Sequence, residues 1–195
     1  MNIQNSILAY LRTHGSVNIV IAGSSCSGKT TMAKDIFAKF SPKYSVTVIT
    51  QDDYFKDLKD IPRTRDGYLT DSLYAFHFEE FKQDVKTLLI DGSTLVPSYD
   101  IATNSRVCKE KIAYAGRINV FEGLHTVELL KDLPYCVKVF LDTNIDTCLQ
   151  RRIERDTSKF GVPEQRIREH WNLCIRPMYE KFILPQKQLA DIIIN

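Results

Sequence analysis

The sequence predicts a three-layer α/β/α fold with a mainly parallel sheet, and three observations support this fold class. Short apolar runs rich in β-branched residues alternate with segments whose apolar residues recur at helical spacing. The first apolar run leads directly into a glycine-containing loop, and an amphipathic segment follows that loop. Uninterrupted apolar runs are typical of parallel strands covered on both faces, so this alternation indicates βαβ units.

The predicted elements follow one another in this alternating order. Apolar runs predict strands over residues 18–22, 45–50, 118–121, 137–141 and 190–194, and helical spacing predicts helices over 3–13, 30–40, 78–90, 145–155 and 163–182. Residues 93–112 are polar, β-prone and turn-rich, and we expect them to form an inserted β-hairpin. Because the 195-residue chain shows no repeat or linker, we expect a single domain over residues 1–195.

Composition and charge narrow the classes of function. A formal net charge of +2 lacks the basic excess of a nucleic-acid-binding domain. No apolar run approaches the roughly 20 residues that span a bilayer, and the first residues carry no signal-peptide pattern. The five cysteines are scattered without a C-x-x-C pair, which argues against a zinc site or a disulfide framework. We therefore expect a cytoplasmic protein with neither nucleic-acid nor membrane partners.

The loop after the first predicted strand matches the phosphate-binding pattern G-x-x-x-x-G-K-[ST] in full. The loop and the start of the next helix comprise Gly23, Ser24, Ser25, Cys26, Ser27, Gly28, Lys29, Thr30 and Thr31. Backbone N–H groups of such a loop converge on phosphate oxygens, and the following helix N-terminus favours the anion. Lys29 should reach the β- and γ-phosphates, and Thr30 should place its hydroxyl on Mg²⁺. The pattern predicts a P-loop NTPase fold that binds a nucleoside triphosphate, ATP or GTP, with Mg²⁺.

Acidic residues follow two of the predicted strands. Asp52 and Asp53 come after the second strand, and Glu122 ends the third, so they should meet at the carboxyl edge of the sheet. We expect Asp52 to accept the proton of an attacking hydroxyl, and Thr30, Asp52 and Glu122 to hold Mg²⁺. The alternative is that the aspartate pair caps a turn and that Glu122 is an exposed acid at a strand end.

Arginines crowd into one stretch of the chain, which favours a small anionic ligand. They are Arg151, Arg152, Arg155, Arg166, Arg168 and Arg176. The first three lie within about a turn of one another on one predicted helix, and guanidinium groups bind phosphate through several donors. We expect Arg151 to contact the nucleotide and Arg152 and Arg155 to act in catalysis from a lid over residues 152–163. The alternative is a solvated helix face paired with Glu154 and Asp156.

Taken together, these motifs resemble those of the uridine kinase/phosphoribulokinase family of P-loop kinases, and most of all those of uridine kinases. The resemblance covers nearly the whole chain. It rests on the P-loop and on Gln-Asp-Asp-Tyr-Phe at 51–55, Pro-Ser-Tyr-Asp at 97–100, Asn-Ser-Arg at 104–106, Glu-Gly at 122–123, Arg-Arg-Ile-Glu-Arg-Asp at 151–156, Arg-Pro-Met-Tyr-Glu-Lys-Phe-Ile at 176–183 and Ala-Asp-Ile-Ile-Ile at 190–194.

The resemblance implies ATP-dependent phosphorylation of a ribose 5′-hydroxyl, with Asp52 as the general base. The residues that it places near the acceptor are Asp52, Asp71, Tyr99, Asn104, Arg106, Arg152 and His170, and the alternative for His170 is a structural or surface histidine. We add Tyr54, because it flanks the predicted cleft and can stack on a base or a ribose, and the alternative for Tyr54 is simple packing. Asn104 and the nearby Ile101 depart from the pattern of uridine kinases, which carry a histidine and an aromatic residue, respectively, at these two positions. The segment from Gly67 to Asp71 looks instead like nicotinamide riboside kinases.

These departures leave several acceptors open. The leading interpretation is a nucleoside kinase for uridine or cytidine, acting in pyrimidine salvage. The alternatives are a kinase for nicotinamide riboside, a sugar phosphate or pantothenate and, from a different class, a catalytically silent nucleotide-binding regulator. In each case the partner is a small molecule, and the sequence is compatible with a homo-oligomer.

Overall fold

The computed structural model describes residues 2–101 and 103–195. Its strands are β1 (Val17–Gly23), β2 (Val46–Thr50), β3 (Arg63–Thr64), β4 (Gly67–Tyr68), β5 (Ser93–Asp100), β6 (Ser105–Tyr114), β7 (Ile118–Glu122), β8 (Cys136–Leu141) and β9 (Ile192–Ile194). Its α-helices are α1 (Ile3–His14), α2 (Lys29–Phe40), α3 (Phe78–Asp91), α4 (Thr126–Leu129), α5 (Ile145–Phe160), α6 (Glu164–His170) and α7 (Arg176–Met178).

The central sheet has five parallel strands in the order β2-β7-β1-β8-β9. Successive side chains of a strand point to opposite faces, so the sheet contributes to two separate apolar cores. Ile19 and Ile21 pack into the core with α1 and α2, whereas Val20 packs into the core with α3. This arrangement confirms the predicted α/β/α class, and every residue of β1 is buried, as its apolar run indicated.

The register of the sheet brings the predicted site residues to one edge. On β7, Glu122 lies opposite Ile21 of β1 and Thr50 of β2. The P-loop leaves the carboxyl end of β1, and a 3₁₀ turn over Gln51–Tyr54 leaves the carboxyl end of β2. Residues far apart in the sequence therefore meet where parallel sheets place their ligands.

The inserted hairpin is present and slightly longer than predicted. Strands β5 and β6 pair antiparallel from Ser93 opposite Tyr114 to Asp100 opposite Ser105, with an irregularity between Val96 and Ser98. Val96 lies in the same apolar core as α3, so the hairpin packs against the domain at its base. A second, much shorter hairpin is formed by β3 and β4. It was not predicted, because strands of two residues are too short to show a periodic pattern in the sequence.

Two predicted helices have different limits. Helix α5 continues to Phe160, five residues past the predicted end at 155, and Gly161 ends it with a φ of 67°. The predicted helix over 163–182 begins at Glu164 but widens into π-turns at Trp171–Ile175 and Tyr179–Ile183. Pro177 supplies no N–H, which explains part of this irregularity. The predicted lid thus begins within a regular helix.

Within the described ranges, no helix is both long enough and apolar enough to cross a bilayer. The cysteine side chains that the structure describes (Cys26, Cys136, Cys148 and Cys174) are free thiols. The side chain of Cys108 lies outside the described part.

Candidate active site

The P-loop wraps tightly around the start of α2. Gly23 and Gly28 have positive φ angles of 154° and 106°, and a Cβ atom at Gly23 would come within 2.8 Å of the Leu141 carbonyl oxygen. Glycine at position 23 is therefore required by the close approach of β8. The Thr143 hydroxyl donates to the Ser27 carbonyl at 2.9 Å and fixes the loop from the β8 side.

Lys29 lies within the loop that the sequence assigns to phosphate. Its ammonium donates to the carbonyl oxygens of Gly23 and Ser24 at 3.1 and 2.7 Å, and the residue is buried. The buried Ser27 hydroxyl has no hydrogen-bond partner among the residues that the structure describes. A cation and an unused hydroxyl at the N-terminus of a helix are suited to a bound anion.

Thr30 and Glu122 join the P-loop to the end of β7. The Thr30 hydroxyl donates to Glu122 Oε1 at 3.0 Å, and Glu122 is 2% exposed. No cluster of three or more His, Cys, Asp and Glu side chains arranged for a metal occurs in the described part of the chain. The hydroxyl and carboxylate oxygens fit a hard cation such as Mg²⁺, whose remaining ligands would be water and phosphate oxygens.

Asp52 lies in the turn after β2, close enough to Lys29 and Glu122 for their charges to act on its carboxyl, and we call the region between these three residues the cleft. The residue is exposed to solvent although many protein atoms surround its carboxyl. Its backbone N–H donates to the Thr50 hydroxyl at 3.3 Å, which holds the turn after β2. Partial desolvation in the cleft, followed by the nearby Glu122 carboxylate, raises the pKa of Asp52 to about 6 despite the opposing effect of Lys29. An accessible carboxylate with a raised pKa can accept a proton from a bound hydroxyl.

Asp71 lies close enough to Asp52 to help raise its pKa, so the structure brings this predicted residue to the cleft. It is buried, and the hydroxyl of Thr70 donates to its Oδ1 at 3.1 Å.

Two further buried residues beside Asp71 were missed by the sequence analysis. The His125 backbone N–H donates to Gln51 Oε1 at 2.9 Å, and His125 Nε2 lies 3.0 Å from the Asp71 carbonyl oxygen. The sequence does hold a signal for both residues, because Gln51 and His125 each lie within three positions of the carboxyl end of a core strand, where ligand-binding residues of parallel sheets occur.

The predicted arginines of α5 lie against the P-loop. Arg151 Nη1 lies 3.4 Å from the carbonyl oxygens of Cys26 and Ser27, and Arg152 Nη1 donates to the Ser25 hydroxyl at 3.2 Å. Arg152 also pairs with Asp156 within α5, so for this residue the structure combines the phosphate-facing and the salt-bridged interpretations.

Asp156 organises this arginine group. Its carboxylate lies 3.3 Å from Arg152 Nε and 2.7 Å from Arg155 Nε. Burial is the largest single influence on the Arg155 guanidinium and lowers its pKa, but the Asp156 hydrogen bond together with nearby negative charges, including those of Asp156 and Asp52, leaves that pKa raised. Asp156 entered the sequence analysis only as a surface ion-pair partner, and the structure makes it the shared anchor of both predicted lid arginines.

The structure corrects the prediction for Tyr54. This side chain is fully buried, its hydroxyl donates to Asp84 Oδ2 at 2.9 Å, and its ring meets Phe81 edge-on with centroids 5.0 Å apart. Burial and the Asp84 carboxylate raise the pKa of the Tyr54 hydroxyl. Tyr54 therefore belongs to the core beneath the cleft and not to its substrate-facing wall.

The remaining predicted acceptor residues are spread over the hairpins. Tyr99 packs against Phe55, with ring centroids 5.4 Å apart, and the Arg106 guanidinium pairs with Glu80 at 2.6 Å. Asn104 is exposed at the turn between β5 and β6, with a positive φ of 51°. Their contacts with an acceptor stay predictions.

His170 is engaged in a structural contact of its own. Its Nε2 atom lies 2.8 Å from the Tyr68 carbonyl oxygen, and a Cβ atom at Gly67 would come within 2.7 Å of its ring. The ring thus holds the β3–β4 hairpin close to helix α6, and a substrate contact would require it to leave the Tyr68 carbonyl.

The P-loop, two strand-end carboxylates and the arginines of a neighbouring helix meet at one edge of a parallel sheet. This combination defines the chain as a P-loop kinase. A model of the Phosphoribulokinase / Uridine kinase family matches residues 18–195, and the chain belongs to that family. Its members transfer a phosphoryl group to a hydroxyl group.

The chain is also similar to individual proteins along most of its length. A uridine kinase of Tolumonas auensis is 34% identical over 187 residues, which make up 91% of this chain and 86% of that protein. A uridine kinase of Mycoplasma genitalium is 36% identical over 181 residues, 90% of this chain and 83% of that protein. Among solved structures, a candidate fructose transport system kinase from Silicibacter sp. TM1040 superimposes with a TM-score of 0.75 at 20% identity, covering 99% of this chain and 97% of that one, which shows the fold alone.

Proposed function

We propose that this chain transfers the γ-phosphoryl group of ATP to the 5′-hydroxyl of a pyrimidine nucleoside, uridine or cytidine. The observation that carries the proposal is the accessible Asp52 carboxyl with its pKa raised to about 6, beside Lys29 and the Thr30–Glu122 pair. The uridine kinases that match about nine tenths of this chain support the choice of acceptor.

The triphosphate would occupy the P-loop. Lys29 would turn from the loop carbonyls to the β- and γ-phosphates, and Arg151 would contact the same chain of phosphates from α5. Thr30, Asp52 and Glu122 would hold Mg²⁺, because their hydroxyl and carboxylate oxygens suit that ion. The metal supplies positive charge that offsets the charge on the β- and γ-phosphate oxygens.

The transfer step balances through Asp52. The acceptor hydroxyl oxygen forms a bond to the γ-phosphorus while the bond from that phosphorus to the bridging oxygen breaks, so ADP leaves with the bonding pair. Asp52 accepts the hydroxyl proton. Arg152 and Arg155, held by Asp156, stabilise the negative charge on the transferring group.

The turn of the β5–β6 hairpin gives a reason to consider acceptors other than uridine and cytidine. The turn that should face a pyrimidine carries Ile101 and Asn104, and both are exposed. An aliphatic side chain stacks less specifically than an aromatic ring. Nicotinamide riboside, a sugar phosphate or pantothenate therefore stay alternatives. A silent regulator is disfavoured, because the charged groups required for transfer are together in one cleft.

The test measures ADP release and product mass in parallel. The acceptors are uridine, cytidine, nicotinamide riboside, ribulose 5-phosphate and pantothenate, each with ATP and with GTP and with a no-acceptor control. The proposal is supported if a product appears with the mass of uridine monophosphate or cytidine monophosphate, and if little ADP is released when no acceptor is present. Transfer to another acceptor alone overturns the nucleoside assignment, and nucleotide binding without transfer to any acceptor favours the regulator. GTP use, a homo-oligomeric state and a cytoplasmic location stay predictions.

A further inference from the structure

A buried tryptophan lies beneath one of the arginines that contact the P-loop. Trp171 is the only tryptophan in the sequence, and it is 2% exposed. The guanidinium carbon of Arg152 lies over its ring, 6.0 Å from the centroid. At this separation a cation is attracted to the face of an aromatic ring, and tryptophan attracts cations more strongly than the other aromatic side chains do. The contact therefore connects a P-loop arginine to a buried side chain from another part of the chain.

The π-turn that follows α6 places Trp171 against α5. Trp171 and Ile175, at the two ends of this turn, form a small apolar cluster with Cys148 of α5. Ile145 and Leu149, also on α5, pack against the same cluster. Turns of this wider kind are frequent at functional sites. The packing of the π-turn on α5 therefore fixes the position of the ring.

Three groups hold the Arg152 guanidinium, and each engages a different part of it. Nε lies 3.3 Å from the Asp156 carboxylate, and Nη1 donates to the Ser25 hydroxyl at 3.2 Å. The Trp171 ring attracts the positive charge and requires no particular N–H group. Among the residues that the structure describes, none accepts a hydrogen bond from Nη2. The guanidinium therefore retains a donor for a phosphate oxygen beside the P-loop.

The ring attracts Arg152 without neutralising its charge. The Arg152 side chain is only 14% exposed, and the attraction between a cation and a ring is stronger where water is largely excluded. A second carboxylate in the place of Trp171 would bind the guanidinium more tightly, but it would neutralise the charge and occupy the donors that a phosphate requires. An aromatic ring holds the side chain and leaves its charge available for the transferring group.

We infer that Trp171 is a positioning residue for phosphoryl transfer, whose ring face holds Arg152 at the P-loop with its charge and one donor available. The inference rests on the role that the proposed function gives to Arg152. It does not depend on the identity of the acceptor, so it can be tested with whichever hydroxyl compound the chain phosphorylates.

A double-mutant cycle tests whether Trp171 acts through Arg152. The variants are Trp171→Leu, which keeps an apolar side chain and removes the ring face, Arg152→Met, and the two substitutions together. Tyr44→Leu is the matched control, because it removes a ring that lies under a different arginine. That arginine is Arg117, before β7 at the amino end of the sheet, and its guanidinium carbon lies 5.2 Å from the Tyr44 centroid. Steady-state kinetics give kcat and the KM values for ATP and for the acceptor.

We expect Trp171→Leu to lower kcat by about tenfold, the size of one largely desolvated cation–π contact, and to change the KM for the acceptor by less than about threefold. In the Arg152→Met background the same substitution should lower kcat by less than about twofold, because the arginine through which it acts is absent. Tyr44→Leu should keep the wild-type kcat. An equal loss of kcat in both backgrounds would give Trp171 a purely structural role and overturn the inference.

A second substitution keeps the cycle usable if Trp171→Leu does not fold. Trp171→Phe retains a ring in the same apolar cluster, but phenylalanine attracts a cation less strongly than tryptophan does. We expect it to lower kcat by about threefold when Arg152 is present and to have no effect in the Arg152→Met background. The same loss in both backgrounds would again overturn the inference.

The fluorescence of the single tryptophan separates this inference from the proposed function, because it requires no acceptor. Tryptophan emission responds to a charge beside the ring, so the spectrum of Arg152→Met should differ from that of wild type. ATP with Mg²⁺ should change the emission of wild type but not that of Arg152→Met, with ATP binding by both proteins checked by calorimetry. If this holds while no acceptor is phosphorylated, the proposed function fails and the placement of Arg152 by Trp171 stands. If Arg152→Met shows the wild-type emission with and without ATP, the inference is overturned, whatever the activity.

Discussion

The Thr30 hydroxyl donates to Glu122 Oε1 over 3.0 Å, and this bond links the P-loop to the end of β7. The parallel register that sets Glu122 opposite Ile21 makes the contact possible, because the loop leaves β1 at the same edge. A hydroxyl that donates to a carboxylate keeps its lone pairs available for a cation. The pair thus connects triphosphate binding with metal binding in one local arrangement.

Glu122→Gln should separate these two functions. The amide is similar in shape and can still accept from Thr30, but the negative charge is lost. We expect kcat to fall by at least about 10²-fold, the typical cost of removing one electrostatic group from an active site, and the Mg²⁺ concentration for half-maximal rate to rise. Steady-state kinetics over a Mg²⁺ titration measure both, with the exposed Glu128→Gln as control. Wild-type turnover and Mg²⁺ dependence in Glu122→Gln would contradict a metal-holding role.

Asp52→Asn tests the general base. Asparagine cannot take up the proton of the acceptor hydroxyl, so kcat should fall by at least about 10²-fold, within the range for a positioned acid–base group. Binding of ATP, measured by calorimetry, should stay within a few-fold of wild type, since Lys29 and the P-loop are unchanged. Near-normal turnover in this variant would remove Asp52 from the mechanism.

The raised pKa of Asp52 also predicts how stability depends on pH. The pKa is 3.8 for the unperturbed group and about 6 in the fold, so the folded state binds the proton more tightly. The stability associated with this proton is fully present below about pH 4 and is lost as the pH rises through 6. The asparagine in Asp52→Asn does not titrate, so this variant does not lose stability in this way. Without nucleotide, its Tm should therefore be higher than that of wild type at pH 7, and the difference in Tm should vanish toward pH 4. Because the cleft is open to solvent, we expect a shift of only a few degrees. A constant difference across this range would rule out the Asp52 proton as its cause.

Residues whose roles follow from local pattern could be predicted from the sequence, whereas those defined by distant partners could not. The P-loop and Glu122 were predicted because each stands next to a strand that its own apolar run reveals. His125 instead depends on Gln51 and Asp71, which are 74 and 54 residues away. Tyr54 was misassigned because nothing in the neighbouring sequence distinguishes a buried tyrosine from an exposed one in such a loop. Its burial becomes visible only in the structure, where α3 packs against it and its hydroxyl donates to Asp84.

Asp156→Asn should loosen the lid arginines without disrupting their helix. The side chain is 13% exposed and holds both Arg152 and Arg155. The neutral amide binds guanidinium groups more weakly, so we expect kcat to fall by about tenfold while the KM for the acceptor changes less. Glu154→Gln, an exposed change on the same helix, is the control and should behave as wild type. An unchanged kcat in Asp156→Asn would show that the ion pairs do not position the arginines for transfer.

Tyr54→Phe should affect stability and leave acceptor binding unchanged. The substitution removes a fully buried hydroxyl that donates to Asp84 at 2.9 Å, and it keeps the edge-on contact with Phe81. A lost buried hydrogen bond to a charged group should lower the free energy of unfolding by about 1–3 kcal/mol. Urea unfolding measures this change, and Tyr74→Phe, at a residue that is 67% exposed, should leave it near zero. The KM for the acceptor should remain within about twofold of the wild-type value, because a side chain that does not contact the acceptor contributes nothing to its binding. Unchanged stability with a raised acceptor KM would instead place Tyr54 against the substrate.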